Sequence, residues 1–221
     1  MFNSCTSLKY APELLATTLG TQCYYMMFHG CANLEKAPSV LPAKTIPMGA
    51  YESMFGSTKI VHPPKIAATV YGESSCCDMF SACYSLASAP EILAEEVGEY
   101  CCTSMFWQCQ SLSAGPSRLP AKHLAEACYG GMFESCHLLK VGPIVEAEQM
   151  EVDSLYSMYY ACSSLTSAAL PIDAELADEC YGDMFDGCTS LSVIPKLPSP
   201  EACGEHSNVV DTMLVNTGCP V

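Results

Sequence analysis

The nine residues 128–136, CYGGMFESC, return almost unchanged at residues 180–188 as CYGDMFDGC. The two copies lie 52 residues apart, and half that distance is the spacing at which a methionine followed by an aromatic residue recurs along the chain. Successive pairs are 25 to 27 residues apart. The pairs are Met1-Phe2, Met27-Phe28, Met54-Phe55, Met79-Phe80, Met105-Phe106, Met132-Phe133, Met158-Tyr159 and Met184-Phe185. The chain is therefore an array of about eight repeats, and the repeat decides the fold.

Each repeat has further fixed positions after its methionine. A cysteine follows four residues later in seven repeats, and in the third repeat Ser57 stands nearest to that position. A leucine, or Ile60 in the third repeat, comes next, and a proline closes seven of the eight repeats. The cysteines of this column are Cys5, Cys31, Cys83, Cys109, Cys136, Cys162 and Cys188. The third repeat breaks the spacing most, and we expect it to be the weakest joint of the array.

The apolar residues around the methionine have the spacing of a helix. Around Met132 they fall at i, i+4, i+5, i+8, i+9 and i+12, which is one face of a short helix. These residues are Leu124, Cys128, Tyr129, Met132, Phe133 and Cys136. The run after the cysteine, such as SLTSA at 164–168, is too short for a helix and ends near a proline. The sequence predicts one short helix and one short strand in each repeat.

Such a unit cannot bury its own apolar stripe, but stacked units share a continuous core. We therefore predict an α/β repeat fold, a solenoid with one short parallel strand and one short helix per coil. Parallel strands spaced at about 4.8 Å would make eight coils roughly 40 Å long. Residues 1–198 are predicted to form this single solenoid, and residues 199–221 an irregular C-terminal tail or cap.

The order Cys-Tyr, Met-Phe, Cys-x-x-Leu and Ala-Pro, as in LPAKHLAEACYGGMFESC and DAELADECYGDMFDGCTSLSVIPKLP, carries a resemblance. It is similar to the BspA-like branch of the leucine-rich repeat proteins, which are surface and secreted proteins of bacteria and some protists. The resemblance covers nearly the whole chain. It implies a leucine-rich-repeat-like solenoid in a protein that is secreted or located at the cell surface. It also implies binding through the strand face, and it specifies no ligand.

The sixteen cysteines leave three interpretations open. Most fall in the apolar stripe, so the favoured one is that they are small buried hydrophobic side chains. A ladder of disulfides between coils is a second, because neighbouring coils bring like residues within bridging distance. A zinc site is the third and the weakest, since no C-x-x-C or H-x-x-x-H motif occurs. With the cysteine column, the predicted core columns include Met27, Phe28, Met105, Phe106, Met132, Phe133, Met184 and Phe185.

Catalytic motifs are not found in the sequence. The histidines occupy different repeat positions, whereas a catalytic site needs one of them beside a nucleophile with a third group behind it. They are His29, His62, His123, His137 and His206. No phosphate-binding glycine loop, dinucleotide fingerprint or nucleophile elbow is present. We expect no enzyme, no cofactor and no metal.

The 24 acidic residues outnumber the nine basic ones and give a net charge of −15. Such a surface repels nucleic acids and anionic lipid head groups, and no segment has the ~18 continuous apolar residues of a membrane span. We expect neither nucleic-acid binding nor membrane insertion. Because Met1 already occupies the repeat methionine, we also expect uncapped coils that allow end-to-end self-association, as in a piece of a longer array.

The acids cluster around the predicted helices, while the positions after each strand leucine vary from coil to coil. Varied side chains on a fixed scaffold suit binding of a protein or glycan better than they suit a reaction. The candidate ligand face is Lys9, Glu35, Lys36, His62, Ser113, Lys140, Thr166 and Ser192. The sequence therefore predicts a binding or adhesion module, and the alternative is a structural spacer or stalk with no ligand of its own.

Overall fold

A computed structural model of the chain describes residues 1–171, 173–193, 195, 196, 198, 199, 203, 209 and 212–217. The chain winds through successive coils of 25 to 27 residues, and each coil bonds through its backbone to the next. The coils share one continuous apolar core that runs from Leu14 to Met213. The fold is a parallel solenoid of leucine-containing repeats.

Strands are short and occur at two positions on the coil, both after the repeat proline. They pair in parallel with their equivalents one coil away, for example Val40 with Lys65 and Thr45 with Val70. The strands are β1 (Val40–Leu41), β2 (Thr45–Ile46), β3 (Lys65–Ile66), β4 (Val70–Tyr71), β5 (Glu96–Val97), β6 (Arg118–Leu119), β7 (His123–Leu124), β8 (Ile144–Val145) and β9 (Gln149–Met150). They form four sheets, β1-β3, β2-β4-β5, β6-β8 and β7-β9.

The predicted strand just after the cysteine column is not a full strand. At that place the structure has isolated parallel bridges, which join Tyr10 to Lys36, Ser88 to Ala114 and Val141 to Ser167. The parallel, coil-to-coil pairing was predicted correctly. Its place in the coil was wrong, because most extended backbone lies beyond the proline.

The prediction of one short helix per coil was wrong. Residues 1–171 contain no α-helix, and the stretch around each methionine is a series of overlapping tight turns. In the fifth coil the N–H of Cys101 bonds to the carbonyl of Gly98 at 3.3 Å, three residues back. The N–H of Cys102 instead bonds to Cys128 in the next coil at 2.9 Å. The two kinds of bond alternate residue by residue up to Cys109, so the segment is tied equally to itself and to its neighbour.

The turn segment adopts positive φ at every fourth residue, as the third residue of a type II turn does. In the fifth coil these residues are Tyr100, Ser104 and Gln108, with φ of 55°, 52° and 57°. The sixth coil repeats the pattern at Ala127, Gly131 and Ser135. A right-handed helix cannot contain such residues. The spacing of four residues comes from pairs of turns, and in the sequence it imitates the helical period of 3.6.

The start of the predicted helical stripe belongs to strands. Ile46, Val97, Leu124 and Met150 lie in β2, β5, β7 and β9, and the other stripe residues lie in the turns. Both groups point into the same interior, which explains their shared apolar character. The stripe was a true signal of burial, but two kinds of backbone contribute to it.

Eight aromatic rings form one stack along the interior. Neighbouring rings are nearly parallel, with interplanar angles of 2° to 10° and centroids 5.4 to 5.8 Å apart. The stack runs through Phe2, Phe28, Phe55, Phe80, Phe106, Phe133, Tyr159 and Phe185. Because each ring fills the space above its neighbour, the stack fixes how one coil sits on the next.

The predicted core columns are incomplete in the first coils. Cys5 is exposed and Met27 is only half-buried, so the prediction of a core position was wrong for Cys5 and holds in part for Met27. The first coil has a neighbouring coil on one side, reached through bonds such as Phe2 N–H to the Met27 carbonyl at 3.1 Å. A side chain becomes fully buried in this fold only when coils lie on both sides.

The predicted tail begins a further turn segment. The N–H of Phe185 bonds to the carbonyl of Met213 at 3.0 Å, just as that of Tyr159 bonds to Met184. Met213 is fully buried and Leu214 packs against the core. Residues 212–216 therefore lie over the eighth coil in the place of a next one.

A longer recurrence of three coils, 78 residues, overlies the single repeat. APELL at 11–15 returns as APEIL at 89–93, and LPAK at 41–44 returns at 119–122. The contacts recur with it, because the Glu13 carboxylate accepts hydrogen bonds from the N–H and hydroxyl of Ser39, and Glu91 does the same for Ser117. The first and fourth coils are thus equivalent, as are the second and fifth.

The positive φ values lead to a test on stability. Replacing Ala161, with φ of 57°, by glycine relieves a conformation that costs an alanine about 1–2 kcal/mol. Glycine also increases the conformational entropy of the unfolded chain, and this offsets part of the gain. We therefore expect Ala161→Gly to raise the free energy of unfolding by about 0.5–1 kcal/mol. Thermal or denaturant unfolding measures the change. Ala125→Gly, at a position without positive φ in the same type of segment, should destabilise, and equal losses in both variants would contradict the turn geometry.

Candidate functional site

The eight residues of the candidate ligand face are all exposed. Backbone hydrogen bonds join several of them in a column from coil to coil. The N–H of Glu35 bonds to the Lys9 carbonyl at 2.9 Å, and that of Thr166 bonds to the Lys140 carbonyl at 2.9 Å. Ser113 is joined in the same way to Ala87 at 3.1 Å, and Ala87 to Val61 at 3.2 Å. The structure therefore places the residues after the repeat leucines in one column, exposed except at the half-buried Ala87, with Lys36 and His62 one residue further along the coil.

Basic side chains of this column keep their charge available. The four salt bridges found among the described residues join Arg118, Lys122 and His123 to glutamates, and none involves Lys9, Lys36 or Lys140. Two hydroxyl side chains are partly used, since those of Ser113 and Thr166 bond to carbonyls of the preceding coil at 3.2 and 3.0 Å. The column offers ammonium, carboxylate and hydroxyl groups in a row, and it offers no constellation for a reaction.

The coil-to-coil bonding on this side is interrupted between the third and fourth coils. The N–H of Ala87 bonds to Val61, and that of Glu95 to Thr69 at 2.9 Å, but no backbone hydrogen bond joins residues 62–68 to residues 88–94. Ala11, Ala89 and Gly142 donate their N–H groups across this position, whereas the second and fifth coils are joined to the next coil through the pairs β1-β3 and β6-β8. The third coil has Pro63 there, and proline has no N–H to donate. Pro63 thus removes the kind of bond that Ala11, Ala89 and Gly142 form, and no strand pair like β1-β3 or β6-β8 takes its place between residues 62–68 and residues 88–94.

The gap opens a groove of about 440 Å³ on the strand side. Its walls are residues 62–66 of the third coil and residues 88–91 and 93 of the fourth. The predicted candidate His62 lies in this wall, and Lys65 stands exposed beside it. The sequence led us to expect the weakest joint in the third coil and to name His62 as a candidate, but it did not predict the groove. The signal was the His62-Pro63-Pro64 run, because the first proline stands where six of the other seven coils have alanine or glycine.

The cysteine column has a specific role inside the coils. Six of its thiols donate hydrogen bonds of 2.9 to 3.1 Å to the carbonyl of the stacked aromatic residue in the coil before. Cys83, for example, donates to the Phe55 carbonyl at 3.1 Å. A thiol is small and apolar enough for the core and still satisfies a buried acceptor. Sequence reasoning predicted the burial of this column and missed the hydrogen bond.

The third coil fills the cysteine column with Thr58. The prediction that Ser57 stands nearest to this position was wrong, since Ser57 is exposed and Thr58 is buried. The hydroxyl of Thr58 lies 3.3 Å from the thiol of Cys83 in the next coil. Ser57 instead has positive φ and bonds through its N–H to Ser81, as Gly30 does to Gly56. The one-residue shortening falls after this position.

Burial makes these thiols poor nucleophiles and poor metal ligands. It raises the pKa of Cys83 to about 11 and that of Cys188 to about 12, so both remain protonated at neutral pH. The thiolate is the form that attacks or binds a metal. Among the described residues no thiol is hydrogen-bonded to a histidine, and no group of three His, Cys, Asp or Glu side chains could hold a metal ion.

The histidines that the structure describes lie apart from one another. His123 pairs with the Glu151 carboxylate at 2.9 Å, and His137 contacts the Ala161 carbonyl at 3.0 Å through Nδ1. His137 is exposed although Cys136 beside it is buried, so the two side chains point to opposite sides. His206 lies outside the described residues. In the described part of the chain no helix has the length and apolar character needed to cross a membrane.

These features define a leucine-rich-repeat-like solenoid. No family model matches the chain, and no curated protein matches it significantly. It is similar to a solved leucine rich cell surface protein from Faecalibacterium prausnitzii A2-165, with 18% identity over 80% of this chain and a TM-score of 0.41. It is also similar to a leucine-rich repeat protein from Bacteroides ovatus ATCC 8483, with 14% identity over 89% of this chain and a TM-score of 0.28.

The aligned region spans 57% of the Faecalibacterium protein and 69% of the Bacteroides protein. Both TM-scores lie below 0.5, so neither likeness carries an argument about activity or partners. The fold assignment rests on the coils, the strands and the stacked rings of this chain.

Thiol labelling tests the packing of the cysteines. Eleven of the fifteen cysteines that the structure describes are buried and all fifteen are free thiols, while Cys5 and Cys23 are exposed. With a maleimide we expect these two to react at once, and the eleven buried ones only after denaturant is added. Mass spectrometry of the labelled peptides gives the count. If most of the eleven react only after reductant is added as well, the disulfide ladder is correct and the packing interpretation fails.

The raised thiol pKa values predict a loss of stability in alkali. Above pH ~8.5 thiols of the unfolded chain ionise, whereas buried thiols such as Cys83 stay protonated until about pH 11. The folded state then holds more protons, so the free energy of unfolding falls as pH rises, by up to about 1.4 kcal/mol per pH unit and thiol. Urea unfolding in reductant from pH 7 to 10 should show this fall. Cys83→Ala should make it shallower and the exposed Cys5→Ala should not, and a flat profile would contradict the prediction.

Proposed function

We propose that this chain is a non-catalytic binding or adhesion module, whose strand-side face recognises a protein or glycan ligand. The observation that carries the proposal is the exposed column formed by the residue after each repeat leucine. The interior beneath it repeats the same thiols and rings, while the column itself changes from Lys9 to Glu35 and from Ser113 to Lys140 and Thr166. A constant scaffold with a variable exposed row suits recognition by many weak contacts.

The geometry of the column supports a ligand that spans several coils. Among the described residues, backbone bonds of about 3 Å join four pairs of neighbouring members, so the scaffold holds these members in place. Preorganised contacts lose less entropy on binding than contacts made by mobile segments. Each residue contributes little alone, and we therefore expect affinity to be distributed over adjacent coils.

A binding role is better supported than catalysis. The buried thiols are protonated and hydrogen-bonded to backbone carbonyls, and the described histidines contact single partners at separate places. No nucleophile with a base and an orienting group is assembled in the described part. A location at the cell surface or in secretion belongs to the same proposal and follows from the resemblance of the repeat.

The proposal is tested first by finding a ligand and then by changing the face. The isolated chain is screened on glycan and host-protein arrays, and the best ligand is measured by calorimetry. A variant with Ser113→Glu, Lys140→Glu and Thr166→Glu places three carboxylates in adjacent coils of the column. We expect at least a tenfold loss of affinity, because three carboxylates take the place of one ammonium group and two hydroxyl groups. The circular dichroism spectrum should stay unchanged.

Matched controls change the acidic part of the coil. Glu95→Gln, Glu99→Gln and Glu126→Gln together should leave affinity unchanged. Normal binding by the column variant with loss of binding in this control would assign the ligand to the opposite side. If neither array yields a ligand, the result favours the structural spacer and contradicts the binding module.

A further inference from the structure

We propose that the groove between the third and fourth coils binds an extended peptide segment that alternates apolar and acidic residues. The inference rests on the proposed function, because it names the class of ligand for one part of the strand-side face. It assigns the peptide backbone to the interrupted ladder, the apolar side chains to the groove walls and the carboxylates to Lys65 and His62.

The interrupted backbone hydrogen bonding between the third and fourth coils leaves groups that a peptide backbone can bond to. At the equivalent junction between the sixth and seventh coils, the N–H of Gly142 bonds to the Ser167 carbonyl at 3.0 Å and Val141 bridges Ser167. At the groove, Pro63 stands in the place of Gly142 and no such bond forms. The backbone of residues 88–91 and 93, which lines the groove, therefore has no hydrogen-bond partner in the third coil. An extended peptide can supply donors and acceptors to an unpaired edge of this kind.

The walls provide the apolar complement. Pro63, Pro64, Ile66, Ala89, Pro90 and Leu93 make up most of the lining. Leu93 is 47% exposed, as its equivalent Leu15 in the first coil is at 78%, so it adds an accessible apolar side chain to the lining. Such walls match valine and leucine side chains. These apolar side chains themselves offer no hydrogen bond to a sugar hydroxyl, and desolvating a hydroxyl without a partner is costly.

The charge at the groove provides the third complement. His62 and Lys65 are exposed along one wall, in a protein with a net charge of −15. None of the salt bridges among the described residues involves Lys65 or His62. The single acid of the lining, Glu91, already accepts the N–H and hydroxyl of Ser117 at 3.1 and 2.7 Å. The groove is thus a local basic site, which favours a ligand with carboxylates.

The probe is a blocked peptide of five residues that alternates glutamate with valine and leucine. Its binding to the full chain is followed by NMR, through the amides of residues 88–94 and the methyl groups of Ile66 and Leu93. We expect a dissociation constant between about 10 µM and 1 mM, with shifts confined to the groove. A matched peptide with lysine in place of glutamate should bind at least tenfold more weakly, and maltoheptaose should cause no shift.

Two variants test the two parts of the site. Pro63→Ala restores the missing N–H and should close the ladder as Gly142 does. We expect slow hydrogen exchange of the new amide at residue 63, which would donate to the Ser88 carbonyl, and at least a tenfold loss of peptide affinity. Lys65→Glu should cause a similar loss while leaving exchange unchanged. Pro42→Ala and Lys122→Glu change a proline and an exposed lysine outside both the groove and the column, and both should bind the peptide normally.

The outcomes separate this inference from the proposed function. No shifts at about 1 mM peptide, or shifts outside the groove, overturn the peptide site. Equal binding of the glutamate and lysine peptides overturns the role of Lys65 and His62, and shifts with maltoheptaose overturn the choice of a peptide. In each case an array ligand that the column variant fails to bind would leave the proposed function standing.

Discussion

The alternation of backbone bonds in the turn segment is the constraint on which the rest of the structure depends. Every second N–H closes a turn within the coil, and the N–H groups between them bond to the following coil. A coil without its neighbour would lose half of these bonds, and buried backbone groups without partners are costly. The coils are therefore stable only as an array, and the thiols, rings and leucines occupy positions that this bonding has already fixed.

The interior columns follow from the same constraint. Because the turn segment holds successive coils in constant register, like side chains lie above one another, and flat rings can stack through the whole length. A change in one column requires a change nearby. Tyr159 replaces phenylalanine in the stack, and its hydroxyl occupies the space that a Cβ at Gly142 would fill. Glycine at 142 thus serves the core as well as the bridge to Ser167.

The repeat, the burial of its columns and the parallel stacking were predictable, because a fixed period in the sequence is also a fixed period in space. The turn segment was not predicted, because Leu124, Cys128 and Met132 have the spacing of a helix. The residues between them carried part of the contrary signal, since glycine and aspartate, as at Gly131 and Asp153, suit positive φ. The groove escaped prediction because it depends on an N–H that is missing from Pro63, and a periodicity of side chains does not report backbone donors.

The turn segment also divides each coil into a part of constant length and a part of variable length. In the seven coils from residue 20 to residue 188, eleven residues always separate the first turn carbonyl, such as those of Gly20 and Gly98, from the column position held by Cys31 and Cys109. The remainder of the coil varies from 14 to 16 residues. Insertions and deletions are therefore tolerated only on the strand side. A solenoid of this type can diversify its exposed surface during evolution, or by design, while the turn segment that stacks the coils stays unchanged.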